Sequence, residues 1–294
     1  MLSVSNLSGT FSALVTPFSP DGRSVDLESL RCLVEMQIEA GVDGLVACGS
    51  TGEAASLSEE EYALVLSQVR ETARGRVPCL GGISVSSSAR AVEMAKVIEK
   101  AGLQGILLAA PPYNKPPQSG IVAHFSAVHS AVSLPIVAYN IPGRSGVNIQ
   151  PLTIAQLAKE GVIIGLKEAS SSLDQALDIL VECGERISLL SGEDSLVLAL
   201  MACGGRGVIS ATANVAPREF ADLTRAALAG AWEEARELQL KLLPLVRCMF
   251  AETNPIPLKA ALAMRGVIRS SAVRLPLVEA KPETKERIKR VLGC

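Results

Sequence analysis

The chain has 294 residues, 48% apolar and only 3% aromatic, enough to bury one barrel-sized core or two smaller ones. A net charge of −2, a pI near 5.9 and scattered Lys and Arg exclude the electrostatic footprint of a nucleic-acid or anionic-membrane binder. Seven cysteines without a C-x-x-C pair read as reduced thiols, and no stretch approaches the ~18 apolar residues of a membrane span, so a cytosolic protein is expected.

Short apolar runs rich in Val, Ile, Leu and Gly recur in chain order: FSALVTPF (11–18), GLVACG (44–49), PCLGGIS (78–84), GILLAAP (105–111), PIVAYNI (135–141), IIGLKEA (163–169), ISLLSGE (187–193) and GVISATA (207–213). Between them lie charged stretches with helical spacing. In SARAVEMAKVIEKAG, residues Ala91, Met94, Ala95, Ile98 and Ala101 fall on one helical face. Gly41, Gly102 and Gly161 stand where left-handed caps are wanted. The runs are continuous, which predicts strands covered on both faces and hence a parallel sheet. Eight such strand–helix units in about 230 residues predict an α/β fold, a (β/α)8 TIM barrel. The first strand ends in TPFSPDG, without the Gly-rich turn of a doubly wound nucleotide-binding sheet. Beyond Ala229 the strands stop, and three helical patterns predict a C-terminal appendage. The expected division is residues 1–230 for the barrel and 231–294 for the helical unit.

In such a barrel, function gathers at the C-terminal strand ends. Those ends carry Ser50, Thr51 and Glu53 in GSTGE; Tyr113 and Asn114; Tyr139, Asn140 and, past them, Arg144; Lys167 and Glu168; Gly192, Glu193 and Asp194; and Ile209 with Ser210. Lys167 is the unexpected member, because it ends an apolar run. Burial disfavours the ammonium and lowers its pKa, and a neutral amine is a nucleophile toward carbonyls. Glu168, next along the strand, should face the barrel–helix layer. GSTGE offers two hydroxyls and exposed amides where the next helix opens, a small anion site suited to a carboxylate, with helix capping as its plain alternative. Thr51 is expected to be buried and Ser50 freer. Arg144 on a rim loop can grip a carboxylate with two hydrogen bonds. His124 and His129 lie five apart on a helix, the wrong spacing for a shared metal, and are expected at the surface or an interface.

The ordered set GTFSALVTPF, GSTGE, PPYNKP, YNIPGRSGVNI, GLKEAS, LLSGED, GGRGVISATANV, NPIPLKAAL and RLPL covers almost the whole chain. It resembles the pyruvate-dependent class I aldolase superfamily of dihydrodipicolinate synthase and N-acetylneuraminate lyase, and YNIPGRSGVNI is most similar to the synthase branch. That resemblance implies condensation of pyruvate with aspartate semialdehyde on the way to diaminopimelate and lysine, with no metal or organic cofactor. It implies that Lys167 forms the imine and that Tyr139, Ser50 and Tyr113 form a hydroxyl relay, Tyr113 reaching a neighbouring subunit's site. Thr51, Gly192 and the backbone of Ile209 match pyruvate-side positions, and Arg144 the carboxylate of the second substrate. A homotetramer built from tight dimers, or a homodimer, is implied as well.

Two positions depart from the synthase pattern. Ser50 replaces the usual threonine, as in the lyase branch, which keeps a 2-keto sugar acid lyase in play beside the synthase. A barrel that binds a keto acid without turnover is the reading of another class. Pro112, Ser86 and Arg90 stand where lysine-inhibited relatives carry tyrosine, asparagine and glutamate; an arginine there repels an ammonium. Inhibition by lysine is therefore expected to be weak or absent in a steady-state assay, and a submillimolar inhibition constant would contradict this.

Overall fold

The computed structural model describes residues 2–293. Strand β1 (Gly9–Ala13) leads into helix α1 (Leu27–Glu39), β2 (Gly44–Ala47) into α2 (Glu59–Ala73), β3 (Cys79–Ile83) into α3 (Ser88–Lys100) and β4 (Gly105–Ala109) into α4 (Gln118–His129). After β5 (Ile136–Asn140) come a single turn, α5 (Pro142–Ser145), and α6 (Pro151–Lys159). β6 (Gly165–Glu168) precedes α7 (Leu173–Cys183), β7 (Ser188–Ser191) precedes α8 (Val197–Ala202), and β8 (Gly207–Ser210) precedes α9 (Pro217–Leu228). The chain closes with α10 (Trp232–Met249), α11 (Ile256–Met264) and α12 (Pro282–Leu292).

The strands pair in sequence order, all parallel, and β8 returns to β1 to close the barrel. Each of the eight expected runs supplies one strand of four or five residues; seven lie within their runs, while β1 starts two residues before the expected 11–18 and ends at Ala13. Side chains of Asp26, Ser58, Ser87 and Ser172 accept backbone N–H groups and start α1, α2, α3 and α7. Gly41, Gly102 and Gly161 follow helix ends with φ of 90°, 75° and 70°, as their positions in the sequence predict.

Alternation along each strand sorts the core into two layers. Phe11, Val46, Leu80, Leu107, Val137, Tyr139, Leu190 and Ile209 fill the barrel interior. Leu45, Ile106, Leu108, Ala138, Leu166 and Leu189 face the helices. Pairing of Tyr139 with Lys167 across β5 and β6 therefore sets Lys167 on the inner face and Glu168 on the outer one. Leu242 and Val246 of α10 pack on Val197, Phe220 and Leu223 of α8 and α9, while Leu258, Ala261 and Leu262 of α11 join the barrel–helix layer. Among the described residues no helix is long and apolar enough to cross a membrane.

His124 departs from expectation. Instead of lying at the surface, it is 2% exposed, because Ile121, His124, Phe125 and Val128 form the buried face of α4. Its Nδ1 hydrogen-bonds the hydroxyl of Ser88 at 2.9 Å, and Nε2 has no partner among the described residues. Burial lowers its pKa from 6.5 to about 4. The unfolded chain therefore takes up the proton first as pH falls. Stability is lost from about pH 6.5 down to about pH 4, by on the order of 3 kcal/mol. Urea unfolding should show His124→Asn losing less stability than the native chain between neutral pH and about pH 4; equal losses would contradict this role for His124.

Candidate active site

Lys167 ends β6 on the inner face and is 5% exposed. Its Nζ lies 4.3 Å from the centroid of the Tyr139 ring and makes no hydrogen bond or ion pair among the described residues. Burial lowers its pKa to about 8; the carboxylate of Asp194 opposes that shift and Arg144 adds to it. A second lysine, Lys259, is also lowered to about 8 by burial. Geometry separates the two. Lys259 Nζ donates to Glu53 Oε1 at 2.5 Å and to the Ala272 carbonyl at 2.7 Å, so its protons are committed. Of the two, only Lys167 offers an amine free of such partners among the described residues.

Tyr139 is 8% exposed, and burial holds its phenol protonated well above the usual range. Gly192, just past β7, lies against the lysine stem. A Cβ there would stand 2.7 Å from Ala169 Cβ and 3.0 Å from Lys167 Cγ, so only glycine permits the approach. Ile209, on β8, completes the interior packing and pairs with Phe11 of β1. Glu168 binds the outer layer as expected, accepting from Asn140 Nδ2, Gln175 Nε2 and the Ser170 backbone.

The GSTGE turn leaves β2 through two left-handed residues, Cys48 (φ 54°) and Glu53 (φ 52°). Thr51 is buried and its hydroxyl accepts from Asn254 Nδ2 at 2.9 Å, while Ser50 is only half-buried. The turn opens a single 3-10 turn, Ala54–Ser56, rather than the next α-helix. That helix starts later because Ser58 and Glu61 form a reciprocal capping box. Ser50 and Thr51 are thus not spent on capping.

Arg144, on α5, donates from Nη2 to the Asn254 carbonyl at 3.0 Å. With Ser50, Pro112 and Asn254 it lines a cleft of about 400 Å³ beside the barrel mouth. Lys167 and Tyr139 lie deeper and do not form the walls of this cleft. A larger groove, about 820 Å³, runs between α9 and the C-terminal helices and contains none of the expected site residues. Tyr113 stands apart from the others. It is 88% exposed, with φ of 72°, a conformation costly for an aromatic residue. Its N–H donates to the Ser145 carbonyl, and the Ser86 hydroxyl donates to the carbonyl of Pro112 before it. Arg90 is paired with Glu59 and Glu93, so its charge is offset by two carboxylates instead of standing free, as the expected repulsion of an ammonium would need.

The model of the dihydrodipicolinate synthetase family matches residues 6–293. The chain belongs to this family. It is 46% identical over 284 residues to the 4-hydroxy-tetrahydrodipicolinate synthase of Syntrophus aciditrophicus, covering 97% of each chain. The dihydrodipicolinate synthase of Aquifex aeolicus superposes with a TM-score of 0.94 at 40% identity, covering 98% of this chain and 97% of that one. The chloride-inhibited dihydrodipicolinate synthase of Acinetobacter baumannii, solved in complex with pyruvate, gives 0.95 at 36% identity and 98% coverage of both.

Within this family member, two residues join the site that sequence reasoning left without a role. Asn254 touches both Thr51 and Arg144, a link between residues 203 and 110 positions apart that no local pattern signals. Asp194 is buried beyond β7. Its Oδ2 accepts from the Thr212 N–H at 2.8 Å, and Oδ1 has no partner among the described residues. Its charge favours the ammonium form of Lys167. Asp194→Asn removes that charge, so Lys167 should stay neutral to lower pH. The pH profile of its modification by a small amine reagent is expected to move to lower pH; a move to higher pH would contradict the coupling.

Proposed function

We propose that the barrel mouth condenses pyruvate with aspartate semialdehyde through an imine on Lys167, the reaction of a 4-hydroxy-tetrahydrodipicolinate synthase. This makes the protein a class I aldolase-type lyase of diaminopimelate and lysine biosynthesis. The observation that carries the reading is the buried Lys167 amine, free of hydrogen-bonding partners among the described residues and faced by Tyr139.

Pyruvate's carboxylate settles on Ser50, Thr51 and their amides, beside Gly192 and the backbone of Ile209. Lys167 attacks the keto carbon, and water leaves to give an imine. The protonated imine is an electron sink, so the methyl group gives up a proton and an enamine forms. The enamine carbon bonds to the aldehyde carbon, whose oxygen takes a proton. Arg144 grips the second substrate's carboxylate. The substrate's amino group then displaces Lys167 from the imine, closing the ring and freeing the enzyme. Tyr139, Ser50 and Tyr113 move the protons. The chemistry needs no metal or organic cofactor, because the imine itself supplies the activation.

Tyr113 serves this relay from one subunit to the next. Its exposed ring on a strained, braced backbone supports a contact with a second copy, in a homodimer or a homotetramer of tight dimers. Residues 1–230 act as the catalytic barrel, and 231–294 as a helical unit packed on it. The alternative, cleavage of a 2-keto sugar acid by the same imine, draws on Ser50; Arg144 at the cleft favours the synthase.

Borohydride added with pyruvate should raise the protein mass irreversibly at Lys167 and inactivate it, and Lys167→Ala should remain unlabelled with turnover reduced at least ~10³-fold. Turnover with aspartate semialdehyde, run beside keto-sugar acids, should exceed theirs. Labelling without condensation activity would favour the lyase, and an unlabelled native protein would overturn imine chemistry altogether.

A further inference from the structure

Glu53 closes the GSTGE turn and is held by residues more than 200 positions away. Its Oε1 accepts from Lys259 Nζ of α11 at 2.5 Å, and its Oε2 accepts the backbone N–H of Arg274 at 3.0 Å. The Lys259 ammonium also donates to the Ala272 carbonyl at 2.7 Å and lies 3.9 Å from the Phe18 ring centroid. The Arg274 guanidinium stands 4.2 Å from the same ring and pairs with Glu61. The paired side chains are 0% exposed for Lys259 and 2% for Glu53.

A fully buried ion pair is a poor source of net stability, since desolvating both charges offsets most of their attraction. Apolar residues of similar volume would fold as well or better. What the pair supplies is direction: a carboxylate fixed at both oxygens dictates where its backbone lies. Glu53 needs that hold, because its left-handed φ of 52° is unfavourable for a residue with a side chain. Two and three residues before it stand Thr51 and Ser50.

We propose that Glu53 and Lys259 are positioning residues. Their ion pair clamps the 50–53 turn to α11, so that the hydroxyls and amides of Ser50 and Thr51 stand preset for the keto acid's carboxylate. Glu53 stands at the edge of the Arg144 cleft, but its side chain is 2% exposed with both oxygens occupied and Lys259 is fully buried, so both act through the turn. The proposal deepens the function given above and rests on the reading that this turn receives pyruvate. The C-terminal helices thereby become part of the substrate site: α11 holds the turn through Lys259, and Asn254, just before it, contacts both Thr51 and Arg144.

The test uses two full-length variants. Glu53→Gln with Lys259→Met removes both charges while keeping an acceptor for the Arg274 N–H. Glu53→Asp keeps the charge but shortens the arm by one methylene, so the turn must move or the clamp must part. Both should melt as folded proteins. The pyruvate concentration that half-saturates borohydride labelling of Lys167 should rise at least ~10-fold in the double variant and several-fold in Glu53→Asp, since misplacement by about an ångström carries such costs. Half-saturation by the aldehyde should change less. Native half-saturation by pyruvate in either folded variant would overturn the clamp. Failure of the native protein to label with pyruvate would instead overturn the function on which it rests, and is seen before any variant is made.

Discussion

The site depends on one desolvated amine. Lys167 sits on the inner face of a strand end, against a tyrosine ring and, among the described residues, without a hydrogen-bonded counter-ion. Removing water from an ammonium costs free energy unless a carboxylate or carbonyl compensates. Here the nearest compensation is the through-space charge of Asp194 and Glu193, opposed by Arg144. The balance leaves an amine that is neutral often enough near physiological pH to attack a ketone and basic enough to return as a protonated imine. The barrel makes this possible, because its register aligns Lys167 with Tyr139 and because Gly192 lets β7 close over the lysine stem.

The comparison with Lys259 shows why burial alone does not define a nucleophile. Both lysines are lowered to about 8 by the same cause. One has its protons taken by Glu53 and Ala272; the other faces an aromatic ring and has no hydrogen-bond partner among the described residues. In the proposed function the first builds the site's framework and the second performs its chemistry. This division places the C-terminal helices close to function. Asn254 and Lys259 tie the 50–53 turn and the Arg144 loop to one segment of chain.

Much of this was legible in the sequence, for physical reasons. The eight strands announced themselves as short apolar runs without alternation, the pattern of strands covered on both faces, recurring between helical stretches. Lys167 was visible because it interrupted such a run, and Glu168 followed from alternation. Thr51 and Ser50 were ordered correctly by burial. What stayed hidden was long-range. Thr51 and Asn254, or Glu53 and Lys259, are separated by more than 200 residues, and no periodicity joins them. His124 was misread because a polar residue at a buried helical position looks like a surface one until Ser88 is seen opposite its ring. The start of α2 was misjudged because the GSTGE turn looked like its opening, whereas Ser58, beyond a 3-10 turn, is the cap.

The most direct measurement is the titration of the Lys167 side-chain nitrogen in the free protein, followed by heteronuclear NMR on selectively labelled lysine. A midpoint near 8, well below the ordinary 10.5, is the result this account requires. A Lys167 that titrates near 10.5 would contradict it, since the amine would then be charged and unreactive where the chemistry must begin.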